Sequence, residues 1–212
     1  MPPHYLIAAS HPPFAGETGG HAYLPRGQSH PGCTRCDGPL LPFLRLEVPP
    51  PGAAGSCEVL SVLMCAEHNE IPSFEPWRQL PPAYWDQAEG HWRAYLVGAG
   101  CGHESEGPPW LQRQPLASAS EPATDGAAGS ITVGGEPQWL QDPEAFTCAC
   151  GAPMHFVAQV SDSYRFAQTA EAPEQPDGPY VDGYVLFLGN EVYVFACSAR
   201  CDPRAVWITV QN

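Results

Sequence analysis

The sequence predicts a mainly β protein in which one antiparallel unit occurs twice, each copy closed by a cysteine-rich metal site. Three observations predict it. A string of paired cysteines, a proline and an apolar run is written twice, CTRCDGPLLPFLRL at 33–46 and CACGAPMHFVAQV at 148–160. Short runs rich in Val, Leu, Phe and Tyr lie between turn residues, as strands do. Helical periodicity is weak, and 26 prolines and 21 glycines leave little room for long helices. An α+β arrangement is the other class this pattern admits.

The repeat fixes the order of elements. Gly19-Gly20 opens the first unit and Gly134-Gly135 the second. Cys36, Pro39, Leu40 and Leu46 then match Cys150, Pro153, Met154 and Val160, each 114 positions later. A second apolar run in each unit ends in cysteine: EVLSVLMC at 58–65 and EVYVFAC at 191–197. Its offset is 132, so the second unit carries an insertion, placed in the turn-rich, acidic stretch 169–183. In 191–197 both alternating faces are apolar, which predicts a strand covered on both sides. The best helical candidate is 81–97, with Tyr84, Trp85, Trp92 and Tyr95 on one side, although Gly90 interrupts it. Residues 102–130 lack periodicity and read as a flexible linker. The expected division is therefore 1–101, a first β-unit with an aromatic-rich segment; 102–130, a linker; and 131–212, a second β-unit.

Nine cysteines in an expected cytoplasmic setting point to metal ligands or free thiols rather than disulfides. Cys33 and Cys36 form one knuckle, and Cys65 and His68 a second at the end of the partner strand. If the two strands pair antiparallel, four N and S ligands meet, which is how a zinc ribbon is built. Cys148, Cys150, Cys197 and Cys201 form the corresponding set. Their spacings are tighter and looser than usual, and an extended segment would turn Cys148 and Cys150 to one side. Buried cysteines that merely pack are the alternative for both sets. Cys101 and His103 (GCGH) compete with His68 for the fourth position of the first set. Cys57 matches nothing in the repeat. His21, His30, His91 and His155 have no spacing partners and read as packing or surface residues. The expected cofactor is zinc, one or two ions, in a structural role because four protein ligands leave no open position.

The formal net charge is −14, and every basic side chain is an arginine. That balance argues against nucleic acid and against an anionic membrane surface, and it suits a basic protein partner. No run approaches the length of a membrane span, and the N-terminus carries no leader pattern. No nucleophile elbow, P-loop, dinucleotide fingerprint or metalloprotease helix occurs. Trp77, Tyr84, Trp85 and Trp92 are the candidate partner contacts, because aromatic residues concentrate at interface hot spots. Core packing is the competing reading for each.

The string C-x-C-G-x-P-M-x-F-x-x-Q-V at 148–160, the later strand ending in cysteine, and GGHAYLPRGQSHPGC at 19–33 resemble two related families. One is the C-terminal domain of the programmed cell death protein 2 family; the other is the bacterial YwqG-like domain. The resemblance covers roughly 19–68 and 134–212. It departs from the pattern at Ser29-His30, where a tryptophan often precedes the proline, and it lacks the MYND-type finger of some relatives. It implies an internally duplicated antiparallel β-fold and, in the eukaryotic branch, a dedicated chaperone for a basic ribosomal protein. Taken together, these readings predict a non-enzymatic, zinc-stabilised binding module, chaperone- or adaptor-like toward a basic client. A toxin-neutralising accessory protein and an enzyme with an unrecognised site are the alternatives.

Overall fold

Strands form where β-branched and aromatic residues can lie on a pleated, half-buried surface. In the computed structural model, residues 4–49, 57–72, 79–87, 90–121 and 130–212 are described. The strands are β1 His4–Ala8, β2 Gly16–Thr18, β3 His21–Pro25, β4 Leu41–Val48, β5 Glu58–Met64, β6 Trp92–Gly98 and β7 Gly102–Glu106. They continue as β8 Gln114–Ala119, β9 Ile131–Val133, β10 Met154–Val160, β11 Phe166–Ala167, β12 Gly183–Tyr184, β13 Glu191–Cys197 and β14 Val206–Gln211. A single turn of α-helix, α1, spans Tyr84–Gln87.

Ten strands make one antiparallel sheet in the order β14-β13-β10-β9-β1-β8-β2-β4-β5-β6. The order reads as two equivalent halves about the β1–β8 pair. β2, β4, β5 and β6 of the first unit correspond to β9, β10, β13 and β14 of the second. The duplication is accompanied by an exchange. β1 opens the first unit yet pairs with β9 of the second, and β8 pairs with β2 of the first. The sheet curls until its two edges touch at one end, where the Leu96 N–H donates to the Pro203 carbonyl at 2.8 Å. The result is a nearly closed barrel.

Its interior is a single apolar core. Leu44, Leu46, Leu60 and Val62 from the first unit meet Val160, Val192, Val194 and Ile208 from the second. The insertion between β10 and β13 fills the middle. Phe166 packs edge-on against Phe43 at 4.9 Å, and Phe187 against Trp92 at 6.1 Å. Each such side chain contributes roughly 1.5–3 kcal/mol of burial. A smaller core covers the outer face of each unit: Leu24, Leu40, Leu63 and Tyr95 in the first, and Phe146, Met154, Tyr193 and Phe195 in the second. Each outer core contains two cysteines.

Three expectations are corrected. The linker over 102–130 begins as β7, paired with β3, and continues as β8 at the centre of the sheet. Its polar composition hid the strands because β7 is largely exposed and β8 is stabilised by neighbours distant in sequence. Residues 122–129 lie outside the described residues. The helix over 81–97 is one turn, Tyr84–Gln87, followed by β6, and Gly90, at φ +80°, stands shortly before that strand. The boundary at 101 cuts through a sheet that the two units share. Among the described residues, no helix is long and apolar enough to cross a membrane.

Candidate metal centres

Two clusters of ligand atoms form where the turn before β4 or β10 meets the end of β5 or β13. The antiparallel β4–β5 pairing sets Leu41 opposite Met64, and so brings Cys33 and Cys36 to Cys65. The β10–β13 pairing sets Met154 opposite Cys197, next to Cys148 and Cys150. Cys33, Cys36, Cys65 and His68 form one cluster; Cys148, Cys150, Cys197 and Cys201 form the other. Within each, the four ligand atoms all lie within 4.8 Å of one another. Both can hold a metal ion.

The distances suit tetrahedral ligation. Cys36 Sγ is 3.6 Å from Cys65 Sγ, and His68 Nδ1 is 3.6 Å from Cys33 Sγ and 3.5 Å from Cys65 Sγ. In the second cluster, Cys148 and Cys201 are 3.6 Å apart, and Cys150 and Cys197 3.5 Å. A tetrahedron with metal–sulfur bonds of about 2.3 Å has sulfur–sulfur edges of about 3.8 Å. A disulfide would require about 2.05 Å, and all nine cysteines are free thiols.

The tight Cys148-x-Cys150 spacing has a local explanation. In the first unit the Asp37 N–H donates to the Cys33 carbonyl, closing a five-residue turn. In the second the Gly151 N–H donates to the Cys148 carbonyl, closing a four-residue turn. One fewer residue is therefore absorbed in the turn, and the sulfurs still converge. Asp37 and Gly151 hold equivalent left-handed positions, at φ +57° and +88°. Cys148 and Cys150 thus lie on a turn rather than on the extended segment expected for them.

The electrostatics of the thiols point to a cation. Burial raises the Cys33 thiol, but the backbone N–H groups of Arg35 and Cys36 outweigh it and hold it below the ordinary range. Burial and the sulfurs of Cys36 and Cys33 push Cys65 up to about 12. In the second cluster burial again raises Cys197, yet the N–H groups of Cys201 and Ala199, with the Cys150 thiol, bring it to about 7. Cys148 and Cys201 are driven upward by burial first and then by neighbouring sulfurs. One thiolate is thus favoured in each cluster, Cys33 and Cys197, while Cys65 in the first and Cys148 and Cys201 in the second resist ionisation. A divalent cation at the centre removes that conflict, because it deprotonates coordinating thiols outright.

Both clusters sit on firm supports. Arg200, inside the second knuckle, donates to both carboxylate oxygens of Glu58 at 2.6 Å and to the Cys197 carbonyl at 2.7 Å. It thereby ties the second unit's ligands to the first strand of the β5–β6 pair. His155 lies against the same guanidinium, and burial followed by the Arg200 charge lowers its pKa. In the first cluster the Thr34 N–H donates to the Gly90 carbonyl at 3.1 Å. A Cβ on Gly90 would come within 1.7 Å of Thr34 Oγ1, so this contact requires glycine.

Eight residues expected as ligands are thus brought together in two sets of four. His68 completes the first set. Cys101 stands at the exposed β6–β7 turn, and His103 pairs with Leu24 on β7, so neither belongs to it. The expected partner contacts fare differently. Trp77 lies outside the described residues. Tyr84 and Trp92 are buried, 3% and 4% exposed, and Trp85 is half-buried with its ring 4.8 Å from that of Tyr84. The physical reason is that α1 seats Tyr84 in the outer core of the second unit, while β6 turns Trp92 into the barrel. Gly90, Arg200 and Glu58 were missed. Gly90 was legible only as a helix breaker, and the Arg200–Glu58 pair joins positions 142 apart with no linear signal.

No protein-family model matches the chain, and no curated protein matches it.

Proposed function

We propose that the chain is a non-enzymatic, zinc-stabilised protein-binding module, acting in the cytoplasm as a chaperone or adaptor for a basic protein. The observation that carries this reading is the closure of both clusters. Each brings four candidate ligand atoms together, and an ion held by all four would keep no position for water or substrate, which is how structural zinc is held and catalytic zinc is not. Thiolate-rich sets favour zinc among the common divalent ions. The barrel interior is filled by aliphatic and aromatic side chains, so a small ligand inside it finds no support. What remains for function is the surface. With a net charge of −14 that surface attracts cationic partners. The resemblance to the programmed cell death protein 2 and YwqG-like families points the same way, through the client-binding role of the eukaryotic branch.

The test is reconstitution. A partner recovered with the tagged chain is produced separately, and the affinity of the pure pair is measured against ionic strength. A basic partner whose affinity falls steeply with salt is the expected result. A neutral or acidic partner, or an affinity indifferent to salt, would remove this function.

A further inference from the structure

The barrel closes along the seam between β6 and β14, and polar contacts across that seam converge on the segment that joins β13 to β14. The Glu58 carboxylate of β5 accepts two bonds from Arg200 at 2.6 Å. The Leu96 N–H of β6 donates to the Pro203 carbonyl at 2.8 Å. Asp86 of α1 accepts from Arg204 at 2.7 Å, and the same guanidinium lies 5.4 Å from the Trp85 ring. Arg200, Pro203 and Arg204 all stand within three positions of Cys201.

This segment is a loop held at its base and at its sulfurs. The Cys197 N–H donates to the Ala205 carbonyl and closes the base. Arg200 stands at φ +51°, a left-handed conformation that persists in a residue with a side chain only where its surroundings fix it. Cys201 is exposed, and its sulfur reaches back to within 3.6 Å of Cys148, on the turn before β10. A cation bound by both ties the loop to that turn.

The first cluster matches the second in its ligands but not in this position. The Thr34 N–H donates to the Gly90 carbonyl, the Cys65 N–H to the His91 carbonyl, and Arg35 to Glu70. Among the described residues, the hydrogen bonds of 33–37 and 65–70 end within the first unit.

We propose that the second metal centre is the clasp of the barrel. A cation held by Cys148, Cys150, Cys197 and Cys201 fixes the β13–β14 loop in the conformation in which Arg200, Pro203 and Arg204 meet the first unit. Loss of that cation opens the β6–β14 seam and uncovers Leu96 and Val206, which are 5% and 2% exposed when it is shut. The first centre holds its own unit together and leaves the seam alone. The inference rests on the reading of the second cluster as a metal site and adds what its metal controls.

The test is amide hydrogen exchange of the zinc-loaded full chain, with zinc counted in every sample. Leu96 reports the seam. Tyr95 is the reference, because its N–H points the opposite way, to Ser61 on β5. The variants are Cys150→Ser, which lies outside the loop, Cys36→Ser in the first cluster, and Glu58→Ala, which keeps every ligand. In Cys150→Ser, exchange at Leu96 is expected to rise about tenfold or more relative to Tyr95. In Cys36→Ser that ratio should stay at the parent value. In Glu58→Ala it should rise with both zinc ions retained, and this variant decides the matter if Cys150→Ser does not fold. A parent ratio in Cys150→Ser that has lost its zinc, or in Glu58→Ala, overturns the clasp while the metal site stands. An equal rise at Leu96 and Tyr95, or the same rise in Cys36→Ser, overturns it in favour of general loosening. A parent chain with no zinc at the second cluster overturns both the clasp and the metal reading beneath it.

Discussion

Phe43 and Val157 occupy the same place in two β-bulges that lie 114 positions apart. The β4–β5 register shifts between Pro42 and Leu44, and the β10–β13 register between Phe156 and Ala158. Beyond the bulge, Leu44 faces Val62 and Ala158 faces Val194, at the same pair of offsets. A bulge pins register, and a slip of one residue would turn every side chain to the other face. The two metal clusters are therefore equivalent by construction: Cys33 corresponds to Cys148, Cys36 to Cys150, Cys65 to Cys197 and His68 to Cys201.

Elemental analysis of the purified chain is expected to give two zinc ions per molecule. Cys36→Ser or Cys150→Ser alone leaves one, and the double variant none. Structural zinc supplies about 10–16 kcal/mol in small peptides. Each kcal/mol is worth about 2–4 °C in a domain of this size. Chelation is therefore expected to lower the melting temperature by more than about 10 °C. A chain that melts alike with and without chelator would show that the clusters are packed thiols.

The equivalence of His68 and Cys201 predicts that His68→Cys keeps its metal. Cobalt substituted into the first site should then shift from a three-sulfur, one-nitrogen spectrum to the four-sulfur spectrum of the second. His68→Ala should lose cobalt at the first site only. Identical spectra for the parent and His68→Cys would mean that another residue is the ligand.

Gly90→Ala tests the support of the first knuckle. The new Cβ meets Thr34, and its φ of +80° is unfavourable to alanine. A loss of about 2–4 kcal/mol in urea unfolding is expected. Weaker metal binding at the first site, with the second unchanged, should accompany it. An equal effect on both sites would show general destabilisation instead.

His155 gives a pH dependence of known sign. Its folded pKa lies below the unfolded value, because burial and the Arg200 guanidinium disfavour the charged ring. Between those two values the unfolded chain binds the extra proton. Its contribution is thus complete above about pH 6.5 and is lost as pH falls through that value toward the folded pKa. In His155→Gln this part of the acid limb should flatten, measured as the difference between the two stability curves with metal bound. A parallel pair of curves would refute the assignment.

By itself the sequence determined what is local or repeated. Spacing placed the eight ligands: the offsets of 114 and 132 align Cys36 with Cys150 and Cys65 with Cys197, and the other ligand of each knuckle lies within four positions of these. Alternation and β-branching identified β4, β5, β10 and β13, whose burial is strong enough to leave a pattern in short runs. Only the tertiary structure decided the rest. It exchanged β1 and β8 between units, made strands of β7 and β8 and chose His68 over Cys101 and His103. It also sent Tyr84 and Trp92 inward. The reason is that pairing partners come from residues far apart in the chain. A short or polar segment such as GHESE becomes a strand only when a neighbour supplies its hydrogen bonds. An aromatic side chain carries no mark of whether it will meet solvent or the far wall of a barrel.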